Sequence, residues 1–217
     1  MNLGSLIEYY IPLEGSSEKS KAVFESLVIL LQKEGVPKDA IVDSLFSFLS
    51  HKEHIQNALG WIESNKITVG DASLYELKPA HKHRILRCLF MSRHFEHDTK
   101  MEMMEMIFAD DKSDIVDRCR AACMASLPNP DNKAKVWAEI TDPNNTDSLY
   151  VRQAKMNGFY GHDQHDIVKD YFEKFYEILP IMHKNSTHKK FDSFFNTMLP
   201  RSGEIKDEHI VKLMCLK

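Results

Sequence analysis

The feature that most restricts what this chain can become is the spacing of its apolar residues, which recur every three or four positions along most of its length. Such a stripe covers one face of an α-helix, whereas a half-buried strand needs alternation. Val23, Leu27, Leu30 and Leu31 form the first stripe, with Ser16 and Ser17 as candidate N-caps and Gly35 as its stop. Pro37 suits a first helical turn, and Ile41, Leu45, Phe48 and Leu49 continue the period to Ser50. His54, Ala58, Leu59 and Ile62 make a third stripe ending near Asn65. Ile85, Leu86, Leu89 and Phe90 carry a fourth, and Met103, Met104, Ile107 and Phe108 a fifth. Asp110 to Ser113 read as a turn, and Ile115, Cys119, Ala122 and Cys123 stripe a helix that Pro128 and Pro130 end. Helices are then expected over 133–141, 147–160 and 163–179, with two short ones at 187–199 and 207–216.

The longest interruption, Lys66 to Pro79, contains Gly70, Asp71 and Ser73 and reads as a loop, and no strand is expected anywhere. The fold class expected is all-α. Roughly ten helices joined by short connections imply antiparallel neighbours. Helix pairs recurring every ~35–40 residues suit antiparallel hairpins stacked as a HEAT-like curved solenoid, expected as a single helical-repeat domain over residues 1–217.

Charge and cysteine usage exclude several function classes. A net charge of −4 and a pI near 6.3 lack the basic footprint that nucleic acid requires. No apolar run is long enough for a membrane span. The opening MNLGSLIEYYIPLEG has no basic region and is interrupted by Glu8, so no signal peptide is expected. Cys88, Cys119, Cys123 and Cys215 read as reduced thiols, which fits a cytoplasmic setting better than a secretory one. The glycosylation sequons at Asn144 and Asn185 read as chance.

Chemistry-bearing patterns are few. His-Glu-x-x-His, a Gly-x-Ser-x-Gly elbow, a Walker loop and Gly-x-Gly-x-x-Gly are all missing from the sequence. Three histidine clusters come nearest to a metal motif: HKEH (His51, His54), HKHR (His81 to Arg84) and GHDQHD (His162, His165). The first two read as solvated helix-end histidines; in the third, Asp163 and Asp166 read as N-capping residues, with Asp163 or His162 beside the cap. No catalytic residue and no metal ligand is assigned. The methionines of MEMMEM (Met101 to Met106) and the aromatics of YFEKFY (Tyr171 to Tyr176) read as packing residues, with Phe172, Phe175 and Leu179 on one face. Trp137 is expected to be buried at a helix junction, because its Lys-rich neighbours Lys133 and Lys135 leave it the main apolar group on its turn. Arg152 and Lys155 read as an exposed basic pair on an outer face, or as partners of a peptide carboxylate if their helix lines a concave one.

From Ala58 to Leu199 the order of elements carries a likeness that no single element has. ALGWIESNKI and HKHRILRCLF lead to the acidic ADDKSDIVDRCRAACMASLP, with Asp111 and Asp114 in its turn. A Lys-x-Lys-x-Trp helix (Lys133, Trp137), SLYVRQAKMNGFYGHDQHDIVKDYFEKFYEILPIM and FDSFFNTMLP come after it. This succession resembles the C-terminal helical domain of the gluzincin zinc aminopeptidases. The resemblance implies a bowl of HEAT-like hairpins that caps a catalytic domain, encloses its cavity and helps bind and select peptides. Its partners would be the catalytic domain of the same enzyme and peptide substrates. The zinc would sit in that other domain, none of it in this chain, and the peptide-contacting residues are not identified by the likeness. A stand-alone helical-repeat interaction scaffold is the alternative, and an independent hydrolase a more distant third.

Overall fold

The computed structural model describes residues 16–109, 111, 113–161, 163–200 and 206–214. The chain is mostly helical, and its contacts divide it into two compact units, Met1–Ile107 and Phe108–Lys217. Among the described residues no helix is long and apolar enough to cross a membrane.

The N-terminal unit opens with α1 (Ser16–Leu31) and α2 (Lys38–Leu45), which runs into a 3₁₀ turn at Phe46–Phe48. Helix α1 closes through tight bonds from the Gln32 and Lys33 amides to the Ile29 and Leu30 carbonyls; Gly35, with φ +73°, then reverses the chain. Helix α3 (Lys52–Ser64) ends at Asn65, whose amide bonds back to the Trp61 and Ile62 carbonyls and whose left-handed φ of 58° then turns the chain out of the helix.

The segment after Asn65 is a β-hairpin, not the loop expected over Lys66 to Pro79. Strands β1 (Lys66–Val69) and β2 (Ala72–Glu76) pair antiparallel, Lys66 opposite Glu76, with a bulge after Ile67. Gly70 (φ +55°) and Asp71 are the whole connection, the two-residue turn that suits the twist of a hairpin. The carbonyls of Lys66 and Thr68 accept from Ser64 Oγ and Trp61 Nε1 of α3, and the Leu74 carbonyl accepts from Lys38 Nζ of α2. Helices α4 (Pro79–Met91) and α5 (His97–Phe108) complete the unit. Its core includes Phe24, Leu45, Phe46, Ile55, Leu86 and Phe90. Of the methionines in α5, Met104 is buried, whereas Met106 is exposed.

The C-terminal unit contains α6 (Asp114–Ala125), α7 (Pro130–Thr141), α8 (Leu149–Phe159), the single turn α9 (His165–Val168), α10 (Asp170–Asn185), α11 (His188–Met198) and α12 (Asp207–Met214). Capping fixes several starts: Asn129, Ser148 and Thr187 accept the amides of Asn132, Val151 and Lys190. The helix expected over 163–179 is two helices, because Phe172 bonds back to Lys169 in a tight turn. It also continues beyond Leu179, through Pro180 to Asn185, with that proline on an exposed position. Asp163 has φ +55°, so it is not the extended cap expected; Gln164 precedes the helix, and His162 lies outside the described residues. Helices α6 and α8 pack closely, α11 crosses α8 and α10, and α12 lies on α10. Phe159, Tyr171, Phe175, Leu179, Phe194 and Met198 form the middle of the core, as expected of the YFEKFY aromatics.

Candidate functional site

The most unusual chemistry lies inside the C-terminal unit. Asn129 and Pro130 start α7 close behind α6, which sets Lys133 one turn in, where a helical side chain leans back toward the N-terminus. Its ammonium, with no exposed surface, donates to the Ala125 carbonyl at 2.7 Å, to Phe159 at 2.6 Å and to Gly158 at 3.4 Å. These are the last carbonyls of α6 and α8, the negative ends of two helix dipoles. Burial pushes the Lys133 pKa down to about 7. The amine is enclosed by those carbonyls and by the Phe159 ring, 5.4 Å away, so it caps two helices and does not reach a substrate.

Arg152 does the same for α7. It is buried, and its guanidinium donates through Nε (3.0 Å) and Nη2 to the Ile140 carbonyl and through Nη2 to Asp142 at 3.2 Å. Burial disfavours the Lys155 charge, but hydrogen bonds to Asp147 (2.6 Å) and Glu139 (2.8 Å) outweigh it and raise the pKa. Of the pair expected to be exposed, Arg152 is therefore buried and Lys155 half-buried, and both cations are already engaged, by backbone carbonyls and by Glu139 and Asp147. Lys133 is likewise inside, while Lys135 is exposed. Charged residues are buried only when paired, and backbone carbonyls supply that pairing here.

Trp137 is half-buried rather than buried, and it stands at a junction of four helices. Its ring lies 5.7 Å from Phe159, 5.2 Å from Tyr171 and 6.4 Å from Phe194. Trp137→Ala is expected to cost about 2–3 kcal/mol by denaturant titration, less than the about 3–5 of a wholly buried aromatic. A loss within about 0.5 kcal/mol would place the ring outside the packing.

The histidine clusters also differ from expectation. His54 and His81 are only 6% and 5% exposed, so they are not solvated helix ends. His54 stacks on Phe24 of α1 at 4.1 Å, its Nε2 is 3.7 Å from Glu25, and its Nδ1 has no hydrogen-bond partner. The His51 ring is 5.8 Å away. His81 lies among Phe46, Tyr75 and Asp43. Burial lowers the pKa of both rings, against the pull of Glu25 and Asp43. His165 is exposed beside Phe172. Aromatic partners from other elements, Phe24 for His54 and Phe46 and Tyr75 for His81, help bury both rings, and no local pattern reveals them.

One group that no sequence motif marks brings ligand atoms together: Glu173, Glu208 and His209 approach within 4.8 Å of one another. An internal cation already serves it. Lys206 Nζ is 2.5 Å from Glu173 and 3.9 Å from Glu208, and holds the Glu173 pKa low. His209 stacks on Tyr176 at 4.0 Å, and its Nδ1 accepts the Lys206 amide at 3.2 Å. In the neutral ring that leaves the proton on Nε2, which donates to Glu173 at 2.8 Å. A metal would have to displace Lys206 and strip Nε2, so these groups read as the fastening of α12 to α10. Only the fold joins them, since Glu173 and His209 are 36 residues apart.

Among the cysteines, Cys88 and Cys123 are buried and Cys119 is half-buried; Cys215 lies outside the described residues. Burial raises the Cys88 pKa to about 11, so that thiol is inert at neutral pH. Compared with models of known protein families and with curated proteins, the chain matches none.

Proposed function

We propose that this chain is the C-terminal, non-catalytic helical part of a zinc aminopeptidase, which caps the active site and helps bind and select peptides. The observation that carries the reading is where the residues of the likeness lie. Trp137, Phe159, Tyr171 and Phe175 are packed together, and Lys133 joins two helix ends. The shared pattern is thus one of internal fit, which specifies a fold more than a surface. In this reading the helix pairs stack as a HEAT-like curved solenoid, the zinc belongs to the catalytic domain, and the setting is cytoplasmic.

Catalytic inertness of the chain alone is expected from its sequence. Without a His-Glu-x-x-His motif there is neither a ligand pair nor a base to activate water. The chain alone should leave aminoacyl-amide substrates uncleaved even with added zinc. Mixed with a cognate catalytic domain lacking its own C-terminal part, it should bind and change the peptide-length preference. Chelator-sensitive cleavage by the chain alone would overturn the proposal. Failure to bind the catalytic domain would point instead to a stand-alone scaffold.

A further inference from the structure

The start of α4 is built on a histidine where most helices use a group that does not titrate near neutrality. A capping box pairs the N-cap amide with a Glu or Gln side chain three residues on. Here the Lys78 amide donates instead to Nδ1 of His81, at 3.1 Å. An imidazole can accept there only while Nδ1 is unprotonated. Lys78 also fastens neighbouring elements: its Nζ is 2.6 Å from Asp39 of α2, and Asp39 accepts in turn from the Tyr75 hydroxyl of β2.

We propose that His81 makes this junction an acid-released clasp. Protonation of its ring sets two donors face to face, unseats the first turn of α4, and loosens the tie from Lys78 to α2 and the hairpin.

The surroundings of the ring decide whether a second proton could be absorbed without such a change. From α2 it faces Asp43 and Asp39, from β2 Tyr75, from the 3₁₀ turn Phe46, and beside it on its own segment Lys78 and Arg84. Asp43 could compensate, but it stands 3.7 Å from Nε2, and Arg84 already holds it at 3.2 Å. Asp39 is engaged by Lys78 and Tyr75. His209, the matching residue of a second Lys-x-x-His at the start of α12, contrasts with this, because Glu173 lies within 2.8 Å of its Nε2. The counter-charge of His81, Asp43, stands at 3.7 Å and is shared with Arg84, and burial outweighs it in favour of the neutral ring.

A histidine whose folded pKa lies below its unfolded one leaves the unfolded state holding more protons in the window between the two. Stability contributed by the neutral ring is therefore present above the ordinary histidine value and lost as pH falls through the folded pKa.

The test is native-state hydrogen exchange on the whole chain and on His81→Gln, since glutamine keeps the acceptor and removes the titration. Between about pH 7 and pH 5, protection of the amides over 78–84 should fall about ten-fold or more in the wild type and less than about two-fold in the variant. The same acid loss in His81→Gln would overturn the clasp. Should that variant not fold, the His81 ring resonances of the wild type decide. Protonation below the ordinary histidine value, with loss of the Lys78 amide bond, supports the clasp; protonation at or above that value overturns it.

Discussion

Replacing Gly158 with alanine is expected to destabilise the C-terminal unit by about 3 kcal/mol or more in denaturant titrations. The expectation runs against helix propensity, since Gly→Ala inside a helix ordinarily gains ~1 kcal/mol. What reverses the sign is distance. A Cβ at position 158 of α8 would stand 2.2 Å from the Ala122 carbonyl oxygen of α6 and 3.0 Å from Ser126 Oγ. The first of these is backbone and cannot swing aside, so the helices must part, and the Gly158 and Phe159 carbonyls would move with α8 away from Lys133. Gly60 is the internal control. It lies inside α3, and an added Cβ meets nothing within 4 Å, so Gly60→Ala should obey propensity and stabilise by about 0.5–1 kcal/mol. Equal effects at the two positions would show that α6 and α8 are not in such close approach.

Lys133→Met carries the second large expectation, a loss of about 2–4 kcal/mol. Methionine recovers the cost of burying a charge, but leaves the Ala125 and Phe159 carbonyls facing a methyl group at two buried helix ends. The substitution should also change the pH dependence. With its folded pKa lowered to about 7, Lys133 sheds a proton that the unfolded chain keeps until well above neutrality. Wild-type stability therefore gains up to about 1.4 kcal/mol per pH unit above neutrality from this one group, and Lys133→Met should lack that slope. The buried Cys88 thiol acts in the opposite sense at higher pH, so the comparison belongs between about pH 7 and 8.5. Parallel pH profiles for the two proteins would mean that Lys133 keeps an ordinary pKa.

The helices were legible because their cause is local. A stripe such as Ile85, Leu86, Leu89 and Phe90 on α4 needs only the chain's own period to declare itself, although Ile115, counted in the stripe of α6, is exposed. The hairpin was hidden because KITV and ASLYE are short, and Gly70-Asp71 looks the same in a loop as in a two-residue turn. The polar interior was hidden for a different reason. Lys133 and Arg152 find their partners in carbonyls that become available only where helices end, and those ends meet through tertiary packing. Composition places such residues outside, and here the free backbone brings them in. Trp137 falls between these cases: its position at a junction could be anticipated, but how far Phe159, Tyr171 and Phe194 cover it could not.

The side-chain bonds to the hairpin have a consequence for how this chain behaves when crowded. Unpaired strand edges are templates on which further strands, including those of other copies, can assemble. In this hairpin the Lys66 and Thr68 carbonyls on one strand and Leu74 on the other are taken by Ser64, Trp61 and Lys38. A single hairpin can thus sit among helices with those three acceptors closed to recruitment by another strand.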